Sequence, residues 1–114
     1  MSASEGLDSR LDEVARQYDD LTAELALPET SRDVEAIKRL GQEIARLEPV
    51  VEAYRQLRKI RDELAGARAM REEASDDDMR ALVREEIERL EIDETRLVDE
   101  LKVLLLPRDP ADDG

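Results

Sequence analysis

The side chains in this sequence that could do chemistry are almost all carboxylates and guanidiniums. Its 114 residues carry 31 Asp and Glu and 18 Lys and Arg, with no Cys and no His. Without Cys there is no thiolate nucleophile, no disulfide and no thiolate zinc site. Without His the commonest general base and metal ligand is missing. The run Glu72-Glu73-Ala74-Ser75-Asp76-Asp77-Asp78 offers oxygens of the kind that hold Ca²⁺ or Mg²⁺. It lacks the ligand spacing and the glycine of an EF-hand loop, and reads as a solvated turn whose carboxylates cap a following helix. Glu85 and Glu86 suggest acid–base work or a di-metal bundle. Such bundles use Glu-x-x-His, and catalytic carboxylates need surroundings that drive their pKa values apart. Neither is in evidence, so these residues read as exposed helical faces. The sequence implies no catalytic residue, cofactor or metal.

The basic chemistry is concentrated in Tyr54-Arg55-Gln56-Leu57-Arg58-Lys59-Ile60-Arg61. Arg55, Arg58, Lys59 and Arg61 are the candidates for contact with a partner, either RNA or an acidic protein. The favoured alternative is internal pairing with Glu85, Glu86, Glu88 and Glu91. Charge along the chain permits this. Residues 54–71 hold 6 basic and 2 acidic side chains, a net of +4, whereas residues 72–100 hold 4 and 13, a net of −9. A basic middle can satisfy itself by folding back on an acidic segment. Tyr18 and Tyr54 lie on apolar stripes and read as core rather than as base-stacking platforms.

These groups must be positioned by helices. Ala, Leu, Glu and Arg dominate, aromatics are 2% and Phe and Trp are absent, a composition that favours helix over strand. Leu7, Leu11, Val14, Tyr18, Leu21 and Leu25 alternate four- and three-residue steps, one stripe on one helix, which Pro28 ends. Ser31 or Asp33 is placed to cap the next helix. There Val34, Ile37, Leu40, Ile44, Leu47 and Val51 continue the spacing, with Gly41 a weak point. Pro49 must kink that helix or restart it. The stripe resumes through Tyr54, Leu57, Ile60, Leu64 and Ala67 to Met70. A third seam runs Val83, Ile87, Leu90, Glu94, Leu97, Leu101 and Leu104. Only Glu94 interrupts it, as a register-setting polar residue or a point of fraying. Its helix is predicted over Asp78–Leu106, 29 residues or about 44 Å at ~1.5 Å per residue, and Pro107 stops it.

Short turns between long helices favour antiparallel neighbours. The expectation is an all-α fold: an elongated antiparallel helical hairpin or three-helix bundle with coiled-coil-like packing, its second helix kinked near Pro49. No stretch approaches the ~20 apolar residues of a membrane span, and the start of the chain has no signal-peptide pattern. These features read as a cytoplasmic protein with no membrane partner. The net charge of −13 opposes direct binding to a phosphate backbone. A narrow leucine seam buries little area per residue, so self-association or docking on a larger body is expected. A free-standing acidic coiled-coil adaptor that dimerises through its leucine seams fits these features too.

Three stretches carry a resemblance. They are Leu47-Glu-Pro-Val-Val-Glu-Ala-Tyr-Arg55, the acidic turn running into Asp76-Asp-Asp-Met-Arg-Ala-Leu-Val-Arg-Glu-Glu-Ile-Glu-Arg-Leu-Glu91, and the exit Leu101-Lys-Val-Leu-Leu-Leu-Pro-Arg-Asp-Pro-Ala-Asp-Asp-Gly114. In this order they resemble the N-terminal helical domain of the bacterial class I peptide chain release factors, of the type that reads UAA and UAG. The leading helix fits as well, so the resemblance runs from about Leu7 to Gly114. It implies a translation-termination role in which this domain helps the factor dock on the ribosome near the stalk-base proteins. It also implies a relation to the class II release-factor GTPase and little direct contact with nucleic acid. Residues 1–6 would be a flexible tail, 7–106 the helical domain and 107–114 the start of a linker into a central domain. Leu104, Leu105, Leu106 and Pro107 would lie at that junction. The family's Gly-Gly-Gln loop is absent from these residues. Pro28-Glu29-Thr30 matches the Pro-x-Thr codon-reading tripeptide in letters only, because it sits in an interhelical turn of the wrong domain. The polar start Met1–Gly6 and Gly41 depart from the family pattern.

Overall fold

A computed structural model of the chain describes residues 3–107, with side chains from residue 6 onward. The described residues form three α-helices and one 3-10 turn, with no strand among them. These are α1 (Ala3–Leu25), the turn Pro28–Arg32, α2 (Val34–Glu73) and α3 (Asp77–Leu104). The fold class is thus the all-helical one expected. Helix α1 begins inside the stretch expected as a tail, since nothing in Ala3-Ser4-Glu5 breaks a helix. The remaining tail residues 1–2, and the linker after Pro107, lie outside the described residues. The chain divides into two compact units, residues 1–52 and 53–114, and α2 runs through both.

In the first unit α1 stops where Pro28 requires it. Leu27 takes φ −65°, ψ 140°, the extended backbone imposed on a residue before proline. Thr30 is buried, and its hydroxyl donates to the Glu24 carbonyl at 2.7 Å. That bond occupies one of the carbonyls a helix leaves unpaired at its C-terminus. Of the two caps foreseen for α2, Asp33 serves: its carboxylate accepts from the Ala36 N–H at 3.1 Å. Ser31 instead donates to the Pro28 carbonyl. Leu11 and Leu40 are fully buried, with Leu47, Val50 and Val51 close behind. Leu7, Val14, Tyr18, Leu21 and Leu25 are only half-buried, and Val34 is 75% exposed.

Helix α2 continues through Gly41 and Pro49 as one 40-residue element, so the helix does not restart at Pro49. Pro49 and Ala45, the residue whose carbonyl an N–H at position 49 would meet, both sit on exposed positions, so the bond that the proline removes from the ladder lies on the solvent side of the helix.

The second unit is an antiparallel hairpin of the α2 segment from Ala53 and α3. Leu64, Ala67, Val83, Ile87 and Leu90 form its core, with Ile60 packed against them. Leu57, Leu97 and Leu101 are buried beyond that cluster. Each fully buried leucine contributes about 1.5–3 kcal/mol. The Asp76 carboxylate caps α3 by accepting from the Asp78 N–H at 3.2 Å. Arg80 Nε donates to the Ala74 carbonyl at 2.8 Å and ties the turn shut. At the other end, Leu105 N–H reaches the Leu101 carbonyl and Leu106 N–H the Val103 carbonyl. The helix closes there, two residues short of the expected Leu106.

Candidate partner-contact surface

The acidic turn acts as a cap, through Asp76 as described. Among the described residues no group of three or more carboxylates is placed to hold a metal ion. Glu86 lies on an exposed face of α3 and accepts two hydrogen bonds from Arg89 on the same helix. The contact raises the Arg89 pKa above its ordinary value through that hydrogen bond and the Glu86 charge.

The basic stretch divides between internal pairing and exposed surface. Arg61 Nε donates to Glu94 Oε2 at 3.2 Å across the hairpin, with side chains 28% and 30% exposed. Glu94, the single break in the third seam, thus pairs with Arg61, and α3 passes through it unbroken. Nearer the hairpin's end, Arg68 donates to Glu91 at 3.3 Å, with side chains 48% and 52% exposed. Arg68 was not among the expected cations. The signal for it was present, since it follows Arg61 by one heptad and shares its face. The internal pairing therefore exists, but it uses Glu94 and Glu91 rather than the full set of Glu85, Glu86, Glu88 and Glu91.

Arg58 lies over the Tyr54 ring, 5.5 Å from its centroid, within range of a cation–π attraction. Tyr54 is buried, as its place on the stripe implied. Arg55 is also engaged within the chain. Arg58 and Lys59 remain exposed. Of the junction candidates, Leu104 and Leu106 are exposed, Leu105 is half-buried and Pro107 is exposed. A shallow depression on α3 is lined by Glu88, Glu91, Ile92, Thr95, Arg96 and Asp99. All six belong to one helix face, a solvated surface rather than a substrate cavity. Among the described residues no helix is long and apolar enough to cross a membrane.

Comparison with known proteins brings these features together. Residues 14–114 match the model of the PCRF domain. The chain is 41% identical over 104 residues to Peptide chain release factor 1 of Geobacillus kaustophilus. It is 40% identical to the protein of the same name from Bacillus licheniformis and 38% identical to that from Bacillus subtilis. Each match covers 91% of this chain and 29% of the relative, so the chain spans under a third of the length of these proteins. No solved structure matches it.

Proposed function

The chain belongs to the PCRF domain family, and on that premise we propose that it is the N-terminal helical domain of a class I peptide chain release factor. The observation that carries this reading is the 41% identity along 91% of the chain to a release factor 1. In this role the domain is not itself an enzyme. It helps a cytoplasmic factor dock on the ribosome near the stalk-base proteins, and it bears on the factor's relation to the class II GTPase. The all-helical hairpin and the −13 charge support protein-mediated docking over RNA binding, because carboxylates repel phosphates. Arg58 and Lys59 are the proposed contact residues of the basic stretch. Arg55 and Arg61 are occupied within the chain and serve the fold first. The exposed Leu104 and Leu106 fit a junction with a following domain.

The test is to read the coding sequence after Gly114 and assay the fragment. The reading frame should run into a Pro-x-Thr tripeptide and a Gly-Gly-Gln loop. The fragment alone should release no peptide from stop-codon ribosomes, while an excess of it should slow release by an intact release factor 1. A stop codon directly after Gly114, with no competition in that assay, would replace this reading with the free-standing adaptor.

A further inference from the structure

The turn end of the second unit exposes apolar side chains that its own core does not use. Met70 is 55% exposed, Met79 45% and Leu82 62%. Met70 and Met79 are two of the chain's three methionines, the third being Met1. Helical position places the three together. Each residue turns about 100° around the helix axis. Ala67 faces the core and Arg68 the flank that carries the ion pairs, so Met70 turns to the opposite flank. On α3, Glu91 and Glu94 mark the ion-pair flank. Met79 and Leu82, three apart and therefore neighbours, lie to the other side of Val83 and Ile87. The result is one apolar patch across the end of the hairpin.

Its surroundings are acidic. Between residues 71 and 80 stand Glu72, Glu73, Asp76, Asp77 and Asp78 against Arg71 and Arg80, and Arg80 is committed to the Ala74 carbonyl. Such a rim repels nucleic-acid phosphates and anionic bilayers alike. A protein surface with basic side chains around an apolar centre would be attracted to it. Methionines suit such a contact because they repack around an irregular partner.

We propose that Met70, Met79 and Leu82, with their carboxylate rim, dock onto a basic, apolar-centred protein surface of the ribosome. The proposal rests on the ribosome-docking reading above and adds to it a second surface, separate from Arg58 and Lys59. The experiment measures binding of the 114-residue chain to purified bacterial 70S ribosomes. Met70→Ser/Met79→Ser/Leu82→Ser should lower affinity at least tenfold with helicity unchanged. Glu72→Lys/Glu73→Lys should also weaken binding, and cations in the last turn of α2 suit the helix dipole, so its fold is safe. Val34→Ser, an exposed apolar change elsewhere, should bind as the parent, and protein-free ribosomal RNA should not compete. Both multiple variants binding like the parent, or competition by the RNA, would overturn the assignment and leave ribosome docking standing. A parent chain that does not bind ribosomes would overturn both.

Discussion

The Arg61–Glu94 and Arg68–Glu91 pairs form a matched comparison of what burial does to an ion pair. Their separations, 3.2 and 3.3 Å, are too close for Coulomb's law to distinguish them at equal dielectric. Their exposures differ, at 28% and 30% for the first and 48% and 52% for the second. Exposed pairs contribute about 0.2–1 kcal/mol. The outer pair belongs low in that range, at about 0.3 kcal/mol. The inner pair is less screened and its side chains are already restricted beside the leucine seam, so its coupling should reach about 1 kcal/mol. The assay is a double-mutant cycle for each pair, using alanine to keep helix propensity high and urea unfolding followed by circular dichroism. Repeating it at ~1 M salt, where the Debye length falls to about 3 Å, should abolish the outer coupling and spare part of the inner one. An outer coupling equal to or larger than the inner, or an inner coupling of zero, would refute the view that Glu94 interrupts the seam in order to hold Arg61.

Leu90→Ala removes a fully buried side chain from the hairpin core and should cost about 2–5 kcal/mol, read as a lower urea midpoint. Gly41→Ala should stabilise by about 0.5–1 kcal/mol, because an added Cβ at Gly41 meets nothing within 4 Å; a raised melting temperature checks it. Asp76→Ala removes the α3 cap and should cost about 1 kcal/mol, with amide exchange at Asp78 accelerating before that of the helix centre.

Sequence periodicity located the core because buried helical faces impose it. Leu57, Leu64, Val83, Ile87, Leu90, Leu97 and Leu101 are buried, as the three-and-four spacing requires. Periodicity names a face but not how far a neighbour covers it. Val34 and Met70 lie on the expected stripes and are largely exposed, since each stands near a helix end. Ala53 and Val50 are buried without belonging to the stripe, because small and β-branched residues beside a seam are covered by whatever packs on it. The pairing of the basic stretch was legible as a tendency. Of its partners Glu91 was among those expected and Glu94 was not, because the choice depends on the hairpin's register, which the turn at Ser75 and Asp76 fixes. The tip residues were missed for the same reason: Met79 and Leu82 form no stripe of their own, and they come to the same end of the hairpin as Met70 only once the chain has turned.

A net charge of −13 works against compaction through self-repulsion. The fold lessens this locally. Asp77 and Asp78 stand in the first turn of α3, Arg71 in the last turn of α2 and Lys102 in the last turn of α3, each where the helix dipole favours it. The Arg61–Glu94 and Arg68–Glu91 pairs and those along α3 are all partly exposed and contribute modestly, so the surplus of carboxylates should dominate the response to salt. Raising ionic strength from about 10 to 150 mM shortens the Debye length from roughly 30 to 8 Å. It should therefore raise the urea midpoint of the isolated chain. The same screening should weaken its attachment to ribosomes if an acidic tip meets a basic protein surface. Stability and binding would then move in opposite directions on one salt axis. If stability falls as salt rises, the ion pairs outweigh the repulsion. If binding holds constant across that range, the apolar patch docks without help from its carboxylate rim.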